Sequence, residues 1–286
     1  MKFNKGLNIP PLPAVLLAII SVQGGAAIAK GLFPALGAAG TAAVRIGLSA
    51  IILYLVNRPN LAKLSSAQWK AVIPYGLSLG AMNLIFYLAL ERIPLGLAVT
   101  LEFIGPLLLA ILGSKRLIDY LWVLLAAVGI VFIAPWDGDG VDLLGALLAL
   151  VAGGFWAAYI VLGGRISKIM DGGQAVSVGM IFASMVVLPV GFAEGGLSNF
   201  TPVMLLTGGA LALLSSAIPF TLEMRALKQL PAQTFSILMS MEPAVAAMCG
   251  LIFLREHLSA LEWLSVISVV IASAGATITK KKKDIH

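Results

Sequence analysis

The sequence has few of the residues that carry most enzyme chemistry. Its 286 residues include one cysteine, two histidines and 11% charged residues. The lone cysteine, Cys249, excludes an intrachain disulfide, and His257 and His286 stand too far apart in sequence to suggest a metal-ligand pair. Phosphate-binding and zinc motifs such as G-x-x-x-x-G-K-[ST] and HExxH are also missing. We therefore predict no cofactor, no metal and a chain that is not an enzyme.

Long hydrophobic runs make up most of the chain. Hydrophobic residues account for 60% of it and the mean hydropathy is +1.02, whereas soluble domains are about 45–50% apolar and about 25% charged. A spanning helix needs about 20 apolar residues. Ten segments fit, at 12–32, 37–57, 71–90, 95–113, 118–135, 142–163, 174–193, 202–223, 232–254 and 260–279. The sequence predicts an all-α integral membrane protein with ten transmembrane helices.

The net charge of +6 follows membrane topology. If the N-terminus is cytoplasmic, most lysines and arginines fall in inner connections and only Lys30, Arg92 and Arg255 in outer ones. The positive-inside rule then predicts that both termini are cytoplasmic. The basic tail at 280–283 is suited to contact with anionic lipid, and we predict no nucleic-acid partner.

Two pairs of prolines indicate an internal repeat. Pro94 and Pro231 are 137 residues apart, and so are Pro106 and Pro243. Because five spans per half is an odd number, the second half must insert upside down relative to the first. Inverted repeats are typical of transporters, with the substrate site near the membrane midplane. The predicted repeats are 1–136 and 137–286.

Polar residues lie at similar depths in the predicted spans. At about 1.5 Å per helical residue, Arg45, Glu102, Asn83 and Gln23 all lie roughly 10–14 Å below the outer surface, and Glu242 lies near the midplane. A charge at a helix centre costs about 2.5–3.5 kcal/mol, so such residues are functional by default. Arg45 and Glu102 either form a structural ion pair or face an aqueous cavity and handle substrate or protons; Arg45 can also snorkel outward on its long stem. A site that binds a zwitterionic amino acid needs a cation for its carboxylate and an anion for its ammonium, and Arg45 and Glu102 could supply both.

Two aromatic residues and three prolines complete the predicted pathway. We place Tyr87 and Trp156 along it, with simple packing as the alternative for Trp156. Pro106, Pro243 and Pro219 each lack the N–H that would pair with the carbonyl four residues earlier. Such breaks are tolerated where the carbonyl faces protein or a water-filled cavity, and a plain packing kink is the alternative.

The chain resembles the EamA-type carriers of the drug/metabolite transporter superfamily, notably in Pro231 and "MEPAVAAMCGLIFLRE". Within that family it resembles the bacterial inner-membrane exporters of threonine and homoserine in "SVQGGAAIAKGLFP", "AMNLIFYLALERIPLGLAVTLEFIGPL", "AIPFTLEMRAL" and "FSILMSMEPA". The resemblance covers nearly the whole chain and implies secondary-active, proton-coupled export of these amino acids. It departs from the family pattern at Asp119, where a glutamate is usual, while the matching Glu256 is present.

We therefore predict an alternating-access exporter whose partners are an amino acid, protons and the lipid bilayer, with a homodimer as a candidate assembly. Glu102 would carry the proton or hold the substrate ammonium, and Arg45 would pair with it or bind the carboxylate. Gln23 and Asn83 would supply neutral hydrogen bonds. The main rival is a broader carrier of drugs, purines or aromatic amino acids; a membrane-embedded enzyme and an ion channel are remote alternatives.

Overall fold

The computed structural model describes residues 10–111, 117–133, 142–195, 197, 201–219, 222, 226 and 238–280. Within these ranges the regular structure is helical and includes no strand. In chain order the helices are α1 (Pro11–Gly31), α2 (Phe33–Asn57), α3 (Ser66–Leu90), α4 (Leu95–Glu102), α5 (Ile104–Ile111), α6 (Leu117–Ile133), α7 (Leu143–Ile166), α8 (Gly172–Ala193), α9 (Pro202–Ala212), α10 (Glu242–Cys249) and α11 (Ala260–Lys280). A 3₁₀ turn covers Leu61–Lys63, and π-helical turns at Leu213–Ala217 and Gly250–Leu254 continue α9 and α10.

Five of the described helices are long and apolar enough to cross a membrane, namely α1, α2, α3, α7 and α8. Shorter apolar helical stretches lie in the other segments that the sequence predicts as spans. Large apolar side chains such as Phe192 and Leu206 point outward, 67% and 76% exposed, as a lipid-facing surface requires. The all-α membrane class is therefore confirmed. The count of ten spans, the inverted repeat and its division at 136 stay predictions.

The structure interrupts the predicted fourth span. The sequence predicts one helix over 95–113, but α4 ends at Glu102 and α5 begins at Ile104. The reason is Pro106, which has no N–H to donate to the Glu102 carbonyl.

The second and eighth spans also differ from regular helices. α2 begins at Phe33, earlier than predicted, and is kinked at Gly37, where φ is +69°. In the eighth span, α9 gives way to a π-helical turn over Leu213–Ala217, shortly before Pro219. The start of the predicted ninth span, 232–237, lies outside the described residues.

Glycines bring the two halves of the chain into close contact. A Cβ on Gly76 of α3 would lie 2.5 Å from the Gly179 carbonyl oxygen on α8. A Cβ on Gly96 of α4 would lie 2.7 Å from the Cα of Ala247 on α10. Only small residues allow helices to approach this closely in a membrane. The polar residues of α1–α4 are thereby held directly against the second half.

Candidate functional site

Arg45 is buried on α2 and held by two side chains of α3. Its Nη2 donates a hydrogen bond to Asn83 Oδ1, and its guanidinium carbon lies 4.8 Å from the centre of the Tyr87 ring. Asn83 and Tyr87 are four residues apart, so they share one face of α3. Asn83 Nδ2 donates in turn to the Leu79 carbonyl at 2.7 Å, which orients the amide oxygen toward Arg45. The cation therefore has neutral anchors: an amide and an aromatic face.

The backbone at Arg45 is tied to α9. Ser49 Oγ donates to the Arg45 carbonyl at 2.7 Å and also lies 3.4 Å from the Ala212 carbonyl oxygen. Ala212 is the last residue before the π-helical turn. Arg45 therefore lies one helical turn from Ser49, and Ser49 contacts the second half of the chain where the π-helical turn begins.

Glu102 is the buried last residue of α4, 7% exposed. Within the described residues, ion pairs closer than 4.0 Å join Lys30 to Glu256 and Arg92 to Asp142. None joins Arg45 to Glu102, so the structural ion pair considered from the sequence does not form in this conformation.

The Glu102 carbonyl, which Pro106 leaves without its helical partner, packs on α7. A Cβ on Gly153 would overlap this oxygen, so Gly153 is the surface against which the carbonyl lies. Of the two surroundings that the sequence left open for it, protein or a water-filled cavity, the structure shows protein.

Several buried polar atoms have no hydrogen-bond partner. Among the described residues they are Gln23 Oε1, Arg45 Nε, Tyr87 Oη, Ser215 Oγ, Ser216 Oγ and Ser265 Oγ. Buried polar groups in folded proteins are normally paired, and each exception requires an explanation. All but Ser265 belong to α1, α2, α3 and the π-helical turn. Ser215 and Ser216 are not among the residues predicted from the sequence, in which the only signal for them is Pro219 shortly after them.

The remaining predicted residues lie on α7, at the start of α10 and just past the π-helical turn. Trp156 on α7 is half-buried and packs edge-on against Phe103, with ring centres 5.3 Å apart, directly beside Glu102. Glu242 is the first residue of α10, 4% exposed. Pro243 therefore stands in the first turn of a helix, where its missing N–H costs nothing. Pro219 is buried just past the π-helical turn.

A charged pair that the sequence did not predict joins the two halves at one end of the bundle. Lys30 Nζ at the end of α1 lies 2.6 Å from Glu256 Oε1 and donates to the Ile93 carbonyl at 2.9 Å. Glu256 Oε2 accepts a hydrogen bond from the Leu95 N–H at 2.8 Å. Glu256 is the residue that the family resemblance singles out. The side chain of its counterpart, Asp119, lies outside the described residues.

A groove of about 580 Å³ between α2, α8 and α9 is lined by apolar side chains, among them Val44, Leu188 and Leu205. None of the predicted pathway residues lines it. The polar site is the region around Arg45 and not this groove.

Comparison with known proteins decides the family. The chain is 43% identical to the threonine/homoserine exporter RhtA of Salmonella typhimurium (strain SL1344) over 275 residues, covering 96% of this chain and 93% of that protein. The RhtA protein of Escherichia coli (strain K12) is 42% identical, again over 96% of this chain and 93% of that protein. A profile of the EamA-like transporter family matches residues 143–278. The chain belongs to the EamA-like transporter family.

Membership in the EamA-like family confirms the predicted resemblance and makes the chain a transporter and not an enzyme. One solved protein structure shares the fold over 95% of this chain and 99% of its own length, with a TM-score of 0.56 at 15% identity. The candidate site of this EamA-like chain is the group of buried, unpartnered polar atoms on α1, α2, α3 and the π-helical turn after α9.

Proposed function

We propose that this EamA-like transporter exports threonine and homoserine across the bacterial inner membrane, with both termini in the cytoplasm. One observation carries the proposal: Arg45 and Glu102 are both buried but do not form an ion pair with each other. Two such charges at membrane depth are costly unless a ligand meets them. The relatives, at 42–43% identity, are named for export of these two amino acids.

Arg45 would bind the substrate carboxylate. Guanidinium binds carboxylates through two parallel N–H groups, which makes such contacts strong and directional. Asn83 occupies one nitrogen, Nη2, whereas Nε has no partner. The Nε–H thus remains to donate to a bound carboxylate, while Tyr87 supports the face of the guanidinium.

Glu102 would bind the substrate ammonium or, in the empty carrier, a proton. Exchange of these two cations on one carboxylate gives proton antiport, because the carboxylate cannot hold both at once. Gln23, with an unpartnered amide oxygen, would add a neutral hydrogen bond. The two halves would rock about this site, in the way inverted-repeat carriers do. A homodimer stays a prediction.

The test is efflux of labelled homoserine from proteoliposomes, with an imposed pH gradient as the only energy source. We expect efflux that rises with the gradient and stops on addition of a protonophore. Arg45→Gln should abolish it. Arg92→Gln is the matched control, because Arg92 is exposed and, among the described residues, forms its ion pair with Asp142 at 3.3 Å and not with a residue of the proposed site. Folded wild-type protein without homoserine flux would contradict the proposal and favour a broader drug or metabolite carrier.

A further inference from the structure

The π-helical turn at Leu213–Ala217 leaves two buried hydroxyl groups in an unusual state. Buried serines and threonines in helices normally donate to the carbonyl one turn earlier. In this chain Thr41, Ser49, Thr100, Ser177 and Ser268 all do so, at 2.6–2.8 Å. Ser215 and Ser216 are 3% and 0% exposed, yet their hydroxyls have no partner. Local geometry explains the difference.

The π-helical turn shifts the carbonyls that these hydroxyls would otherwise use. The Ile218 N–H donates to the Leu213 carbonyl, five residues back, so the turn is wider than an α-helical one. The carbonyl one turn before Ser216 belongs to Ala212, and that oxygen lies 3.4 Å from Ser49 Oγ. π-helical turns of this kind are frequent at functional sites.

The turn lies next to the proposed amino-acid site. Ser21 Oγ on α1 donates to the Leu214 carbonyl at 2.6 Å. Ser215 Oγ occupies the space that the missing side chain of Gly25 leaves, because a Cβ there would overlap it. Gln23, two residues before Gly25, carries another unpartnered oxygen. The turn therefore packs on the face of α1 that carries Ser21 and Gly25, opposite to Gln23, and it is linked to the Arg45 backbone through Ser49 and Ala212.

We infer that Ser215 and Ser216 bind the side-chain hydroxyl of the transported amino acid and so select hydroxylated substrates. The inference rests on the proposed function. Arg45 and Glu102 account for the two charged groups of a zwitterion, and a hydroxy amino acid has one further polar group, which is neutral. A hydroxyl pairs well with serine, because each can both donate and accept. A site built to bind a hydroxyl rejects the analogue that lacks it, since its own polar groups are then left unpaired.

Threonine and valine are the probes, because they differ only by a hydroxyl in place of a methyl group. Proteoliposomes loaded with threonine exchange it for external labelled threonine, without any ion gradient. The measured quantity is the ratio of the valine and threonine concentrations that halve this exchange. We expect wild type to prefer threonine, and Ser215→Ala or Ser216→Ala to lower the ratio roughly tenfold.

Matched controls separate selectivity from folding. Ser265→Ala removes an equally buried, unpartnered hydroxyl on α11, where that helix packs against α6, and it should leave the ratio unchanged. Gly25→Ala should displace the Ser215 hydroxyl and lower the ratio, whereas Gly24→Ala, with no atom within 4 Å of its new Cβ, should not.

Two outcomes would overturn the inference while the proposed function stands: an unchanged ratio in both serine variants, or an equal loss of threonine and valine binding. Wild-type protein that is folded but does not exchange threonine would refute the proposed function and the inference together.

Discussion

Replacing Glu256 by alanine should open the end of the bundle where Lys30 donates to the Ile93 carbonyl, just before Pro94 and α4. Glu256 makes two contacts there: the ion pair with Lys30 at 2.6 Å and the hydrogen bond from the Leu95 N–H at 2.8 Å. Both link the second half of the chain to the first. The charge distribution predicts that this end is extracellular, and we therefore expect these contacts to hold the outer side closed.

The size of the effect follows from burial. The side chains of Lys30 and Glu256 are 22% and 15% exposed, so their pair should exceed the roughly 0.2–1 kcal/mol of a fully exposed one. The carboxylate also accepts from the first N–H of α4, and a negative charge there contributes about 0.3–1 kcal/mol. Together they stabilise the closed form by about 1.5 kcal/mol, which is about tenfold in the closed-to-open ratio.

Cys249 supplies the assay, because it is the chain's only cysteine. It is buried on α10, in the same apolar cluster as Leu95. In right-side-out vesicles, a membrane-impermeant maleimide should label it about tenfold faster in Glu256→Ala than in wild type. The double variant Lys30→Glu/Glu256→Lys should restore slow labelling in part. Arg92→Gln, which breaks the exposed pair on the same side, should not change the rate. Equal labelling in wild type and Glu256→Ala would refute this reasoning.

Three further predictions concern the site. Gly153→Ala should lower the thermal stability of the detergent-solubilised protein, because its Cβ would overlap the Glu102 carbonyl and overpacking costs about 1–3 kcal/mol; the exposed Gly154→Ala, with nothing within 4 Å, should not. Tyr87→Phe keeps the ring over Arg45 but removes an unpartnered hydroxyl, so it should raise the KM for homoserine without changing stability. Glu102→Gln should abolish gradient-driven efflux in protein that still reaches the membrane, and full activity would exclude Glu102 from proton coupling.

Helix positions were predictable where the bilayer dictates them. α1 and α8 begin and end within two residues of the segments predicted from apolar runs, because the length of a membrane crossing sets the length of the run. The irregular positions were less predictable. Pro106 indicated a weak point in the fourth span, but not that two helices would meet at Phe103. The π-helical turn before Pro219 causes no change in the hydrophobic pattern, because its residues continue the apolar run of the predicted eighth span.

The sequence predicted a common depth for the site residues but not their contacts. Counting residues along each span placed Arg45, Asn83 and Glu102 at a common depth, and depth alone cannot say which side chains face one another. The structure shows that Arg45 meets Asn83 and Tyr87 and does not pair with Glu102. Ser215 and Ser216 were not predicted, because serine is common in membrane helices and usually pairs with its own backbone.

In the proposed mechanism, the neutral anchors of Arg45 would keep a buried cation available to a substrate. A permanent ion pair with Glu102 would satisfy both charges, and a zwitterion would have to break that pair before it could bind. An amide and an aromatic ring hold the guanidinium in place without an ion pair. The cost of that charge in the membrane is then offset when a carboxylate arrives. For the same reason a neutral replacement of Asn83, such as Asn83→Leu, should weaken substrate binding through loss of orientation, although it removes no charge.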